Sequence, residues 1–176
     1  PEGTIYPVTK LVDMDHKIVL ALERYGEFLA TGHSVDMERL SLLLGMPVIA
    51  ADFDSEEGRA RIIPQIVDAY ESAPAEEGRK VRIPYGQDVE KALGRIGECL
   101  HSGHGGNECF TDRYIAVRLL ERQDYILPYV EKYGNSAEIL ALTDRLCESL
   151  QRGYDKSSAE LIAIARRGFV SGALQE

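Results

Sequence analysis

The chain has 176 residues, 44% hydrophobic and 28% charged, with a formal net charge of −9 and a pI near 5.0. That balance excludes broad binding to nucleic acid or anionic membrane, both of which need a basic footprint. No run approaches the roughly 20 apolar residues that span a bilayer. The length suits one medium domain or two small ones. The opening Pro-Glu-Gly-Thr carries no signal-peptide pattern. Three cysteines, an odd number, suggest no disulfide framework and point to a reducing, cytosolic compartment. Helical sequence begins within a few residues of Pro1, which reads as a piece of something longer.

In chain order, Ile5, Val8, Leu11 and Val12 fall at helical spacing and predict a helix over 5–14, with Pro7 tolerated near its first turn. A strand follows at 17–22, built on the β-branched, non-alternating run Ile18-Val19-Leu20-Ala21-Leu22, which reads as buried on both faces. A short helix is expected over 23–30. A second spans 36–44, with Asp36 as N-cap and Gly45 as its stop. A second strand is expected at 47–51. Strand, helix, strand makes a βαβ unit with a parallel sheet. The acidic stretch Asp52, Asp54, Glu56 and Glu57 reads as a solvated loop favoured by the helix N-terminus after it. Helix 57–72 is expected to bury Ile62, Ile63, Ile66, Val67 and Tyr70 on one face. The polar, Pro/Gly-bearing stretch 72–78 reads as a linker, with Glu76 and Glu77 solvated.

Beyond the linker the pattern is helical, over 86–100, 111–121, 124–132, 136–151 and 156–173. Leu93, Ile96, Leu119, Leu120, Leu140, Leu146, Leu161 and Ile164 are expected inside. The fold class is therefore an α/β remnant, a partial Ras-like parallel sheet, followed by an all-α helical bundle. The division falls at 1–75 and 76–176.

Several local patterns occur in an order that resembles the FeoB family, ferrous iron transport protein B. Residues 5–75 are similar to the last third of its cytosolic GTPase domain, and 80–174 to its helical spacer, or GDI-like, domain. Leu11-Val12-Asp13-Met14-Asp15 with Lys17-Ile18-Val19-Leu20-Ala21-Leu22 resembles the helix and strand leading to the guanine-recognition motif. The stretch from Asp36 through Leu40 to Leu44-Gly45-Met46-Pro47-Val48 is similar to D-x-x-x-L-s-x-x-L-G-x-P-v. Tyr85-Gly86 with Val89-Glu90 resembles Y-G-x-x-I-E. Arg113 to Glu121 resembles R-x-x-A-I-K-L-L-E, and Ala163 to Val170 resembles I-A-D-A-R-Y-G-F-I.

The sequence departs from the family where nucleotide is read. The family's first strand ends in Asn-x-x-Asp, whose Asp accepts hydrogen bonds from guanine; the matching positions here are Glu23 and Gly26. The family's small Thr/Ser-x-Ala segment after the second strand is replaced by Ala51-Asp52-Phe53. No Gly-x-x-x-x-Gly-Lys-Ser/Thr occurs in these residues, so the backbone cradle and Lys that phosphoryl transfer needs are not among them. No nucleotide-binding or catalytic residue is therefore carried over; Glu23, Gly26, Ala51 and Phe53 stand as degenerate guanine-motif positions.

Cys99, His101, His104 and Cys109 lie within eleven residues. Thiolate and imidazole are ligands for Zn²⁺ or Fe²⁺, and the loop's glycines allow wrapping. The spacing matches no standard finger. A flexible glycine-rich connection between helices explains the same residues, and no cofactor is otherwise expected.

The resemblance implies a cytosolic regulatory or coupling portion of a FeoB-like ferrous iron transporter, itself not an enzyme and not a GTP binder. It would lie in the cytoplasm, at the cytosolic face of the inner membrane in a full transporter. Its expected partners are the rest of the GTPase part and the membrane transport domain. The alternative is a small helical metal-binding or sensor module using the Cys/His loop. Because strand 18–22 would leave backbone groups unpaired at a sheet edge, a partner segment or self-association is also expected.

Overall fold

The computed structural model describes residues 2–14, 18–32, 34–51, 53–72, 81–103 and 109–175. The chain forms two compact units, residues 15–82 and residues 1–14 with 83–176. The division expected at residue 75 followed chain order. The first helix instead packs on the last one, so it lies with the C-terminal helices.

In the unit of residues 15–82, strand β1 (Leu20–Glu23) pairs in parallel with β2 (Val48–Ala51), in the register Leu20↔Val48 through Glu23↔Ala51. The Leu20 amide donates to the Pro47 carbonyl at 2.8 Å. Pairing therefore starts two residues later than the apolar run suggested. Helices α2 (Tyr25–Ala30) and α3 (Met37–Leu44) connect the strands. The predicted ends of α3 hold: Asp36 accepts from the Arg39 amide at 3.0 Å, and Gly45 closes the helix. Leu40, Leu44 and Met46 are buried.

Two expectations fail in this unit. The strands are half-buried rather than enclosed on both faces, since the described sheet has only two strands. Helix α4 (Glu56–Ser72) buries Ile62 but leaves Ile63, Ile66 and Val67 exposed. The side chain of Tyr70 lies outside the described residues, as do Asp52, Glu76, Glu77 and the expected linker 72–78 beyond Ser72, which ends α4.

In the other unit, α1 (Glu2–Val12) turns Ile5, Thr9 and Val12 inward. Helix α5 (Gln87–Ser102) buries Val89, Ala92, Leu93, Ile96 and Leu100 along one stripe. Helix α6 (Asp112–Leu120) is capped by Thr111, whose Oγ1 accepts from the Tyr114 amide at 3.2 Å. Tyr114 to Leu120 are all buried, which places α6 at the centre of the unit. The helix expected over 124–132 is a 3-10 turn, Asp124–Ile126, running into the single turn α7 (Leu127–Val130). Helices α8 (Ser136–Tyr154) and α9 (Ser158–Gln175) complete the unit.

The expected core is mostly observed. Leu93, Ile96, Leu119, Leu120 and Leu146 are buried, and Leu140 and Leu161 are half-buried. Ile164 is the exception, 48% exposed. Helix α9 turns Ser158, Ile162, Arg166 and Val170 inward at four-residue intervals, so an arginine occupies the phase that an apolar count assigns to its neighbours.

Gly103 shows where packing forbids a side chain. A Cβ there would lie 1.8 Å from Asn135 Oδ1. Asn135 is itself fixed, its amide donating to the Cys99 carbonyl at 2.8 Å. Gly103→Ala is expected to lower stability by about 1–3 kcal/mol, as overpacking does. Urea denaturation checks this, through a lowered midpoint at unchanged slope.

Candidate functional site

Three groups of residues have to be placed: the two strand ends, the Cys/His loop, and a polar cluster between the helices.

Parallel pairing sets the carboxyl ends of β1 and β2 side by side, with Glu23 opposite Ala51. In open α/β sheets ligands bind at this end. Glu23 is exposed and Ala51 buried. Arg24 follows with a left-handed backbone (φ 56°), and its guanidinium donates to Glu27 at 2.5 Å. That hydrogen bond, with the nearby carboxylates, holds the Arg24 pKa above its ordinary value. Gly26 lies inside α2, with open space where a Cβ would stand. Phe53 is exposed, and its carbonyl accepts from Arg59 of α4 at 2.6 Å. The strand ends thus bring Glu23 and Ala51 together, and Gly26 in α2 has no side chain to accept a hydrogen bond. Asp54, Glu56 and Glu57 are exposed, as a solvated acidic loop should be.

The Cys/His loop is only partly described, since His104 lies outside the described residues. Cys99 is half-buried on α5, its Sγ 3.6 Å from Asn135 Nδ2. Burial raises its thiol pKa. His101 and Cys109 are exposed. Among the described residues no three His, Cys, Asp or Glu side chains gather as an ion would need.

The third group was not foreseen as a site. It centres on the Asp13 carboxylate at the end of α1, whose side chain is 1% exposed. Tyr85 donates to Asp13 Oδ2 at 2.5 Å, and Arg166 Nη2 donates to the same oxygen at 3.3 Å. Arg166 Nε also donates to the Tyr85 hydroxyl at 3.2 Å, and its Nη1 to Glu121. Glu121 is shared, accepting from Arg118 Nη1 at 2.5 Å; Arg118 Nη2 reaches back to the Lys10 carbonyl of α1 at 2.8 Å. Arg113 meets Glu90 with two hydrogen bonds, at 2.8 and 2.9 Å, and lies 3.8 Å from Asp13 Oδ1. Three carboxylates thus face three guanidiniums.

Local sequence explains how these groups arrive. Gly86 adopts φ 87° and ψ 156°, a backbone region essentially confined to glycine. This turn separates Tyr85 from the start of α5. Glu90, one turn into α5, accepts from the Tyr85 amide at 3.1 Å. Burial raises the Tyr85 pKa, with Asp13 adding to the effect, so the phenol stays a neutral donor. Burial works against the Arg166 charge, but Tyr85, Glu121 and Asp13 outweigh it. The arrangement is a charge-balanced structural network and holds no free nucleophile.

The fold is thus a short parallel α/β layer joined to a helical unit built on a buried charge network. The family model for the FeoB cytosolic helical domain matches residues 85–176, and the chain belongs to that family. A curated relative, an Fe(2+) transport protein A/Fe(2+) transporter FeoB fusion protein of Porphyromonas gingivalis, is 28% identical over 179 residues, spanning 99% of this chain. The chain covers only 21% of that relative's length. Among solved structures, the apo cytosolic domain of the T. maritima FeoB iron transporter superposes with a TM-score of 0.70 at 22% identity, covering 100% of this chain and 62% of that one. NFeoB from S. thermophilus, bound to GDP·AlF4⁻ and K⁺, gives 0.79 at 16% identity, covering 99% and 65%. These likenesses carry the fold: short parallel strands with helices, then the helical domain.

Proposed function

We propose that this chain is the coupling portion of the cytosolic region of a FeoB-like ferrous iron transporter, and that its own residues neither bind nor hydrolyse guanine nucleotide. The observation that carries the reading is the pairing of Glu23 with Ala51. It puts Gly26 and Phe53 after adjacent strand ends, where the resemblance calls for a carboxylate and a small residue. The same chain carries a helical unit of the FeoB family. The role left to such a chain is mechanical, relaying the state of one neighbouring domain to another.

Its partners in this reading are the rest of a cytosolic GTPase part and a membrane transport domain, at the cytosolic face of the membrane. The half-buried strands and the exposed Ile63, Ile66 and Val67 of α4 support a further segment against this unit, since paired strands and covered apolar side chains are the stable arrangement. None of the described helices is long and apolar enough to cross a membrane. The test is radioiron uptake by cells carrying the parent gene, with and without residues 81–176. Uptake should fall to background on deletion while the remaining protein is still present in the membrane. Uptake at the undeleted rate would contradict the reading.

A further inference from the structure

Helix α1 is held to its unit at two levels. Ile5, Thr9 and Val12 lie against the helical unit along one stripe, and beyond them Asp13 enters the charge network. Four residues from three parts of the unit hold this end of α1. Tyr85 precedes α5, Arg166 comes from α9, Arg118 from α6 takes the Lys10 carbonyl, and Thr111 donates to the Asp13 carbonyl at 3.3 Å.

We propose that Asp13 is a latch: its carboxylate clasps α1 onto α9 and the segment before α5, and losing that charge frees α1 while the remaining helices stay folded. The other contacts are arranged for this. Helix α5 packs chiefly on α6 and α8. Glu121 lies between Arg118 and Arg166, so both guanidiniums keep a carboxylate when α1 leaves, and water then reaches them. A purely apolar seat gives no such intermediate, whereas a shared counter-ion makes a docked and an undocked state, the sub-global opening seen where a contact is local. In sequence the latch stands at the end of residues 1–14, immediately before the unit of residues 15–82. Its use as a relay rests on the coupling role proposed above; the latch itself stands on the contacts alone.

Hydrogen exchange on the full chain tests it, comparing the unaltered protein with Asp13→Asn. Asparagine keeps the shape and one acceptor but removes the charge facing Arg166. Amides of residues 5–12 should exchange about tenfold faster, a shift in opening of one power of ten, while those of α5 and α8 keep their rates. An equal rise in every helix, or unchanged rates in α1, overturns the proposal. Should Asp13→Asn not fold, Tyr85→Phe decides, since it removes one donor to Asp13 and keeps the ring. It should accelerate the same α1 amides by a smaller factor, and no acceleration confined to α1 overturns the latch. Arg122→Ala, which breaks an exposed pair with Asp144, is the control and should leave α1 unchanged. None of these readouts depends on iron uptake, so the latch and the transport reading fail separately.

Discussion

Arg166→Met is expected to cost about 3–5 kcal/mol. The reason is the asymmetry of buried charge. Removing one partner of a buried pair leaves the other desolvated and uncompensated. Arg166 is fully buried and serves Asp13, Glu121 and the Tyr85 hydroxyl together. After its removal Glu121 keeps Arg118, but Asp13 keeps only the Tyr85 hydroxyl and the more distant Arg113. Methionine fills much of the volume, so the loss reads charge rather than a cavity. With total stability of order 5–15 kcal/mol, a sizeable part disappears, and denaturant melts will show it as a lowered midpoint. Adding Asp13→Leu to Arg166→Met should recover part of the loss, because the orphaned carboxylate goes too. A double variant no more stable than Arg166→Met would show that the two residues do not act as a pair.

Leu119→Ala is expected to cost about 2–5 kcal/mol, whereas Ile164→Ala should cost less than about 1 kcal/mol. The two side chains are similar in size, and only their exposure differs, 4% against 48%. Leu119 lies on the central helix α6, where a deletion leaves a cavity that neighbours on several sides cannot close. Ile164 already meets solvent. Equal losses at the two sites would mean that α9 is rotated from the phase described here.

This contrast marks the boundary of what the amino-acid order made legible. Periodicity located the helices because apolar side chains at three- and four-residue intervals must face one core. It mis-phased α9 because the inward stripe carries Arg166, which a count of apolar residues excludes. It over-counted α4, whose Ile63, Ile66 and Val67 have the right spacing but no covering element among the described residues. The network was present in the same letters: Asp13, Tyr85, Glu90, Arg113, Arg118, Glu121 and Arg166 all fall within the stretches that carry the resemblance. Each stood alone as an ordinary charged or aromatic residue. Only the fold brings Asp13 to Arg166, 153 positions apart, and local spacing holds no signal for such a pair. The strand ends were more legible, because parallel pairing dictates that the residues following two adjacent strands emerge together.

The central claim is that these strand ends no longer read guanine. Isothermal calorimetry of the purified chain with GDP and GTP in Mg²⁺ buffer tests it most directly. The expected result is no 1:1 binding tighter than about 100 µM, roughly −5.5 kcal/mol. Gly26→Asp, which the open space at Gly26 accommodates, should fold normally and still bind neither nucleotide, since no phosphate cradle occurs in this sequence. Stoichiometric binding of GDP to the unaltered chain at low micromolar concentration would contradict the account.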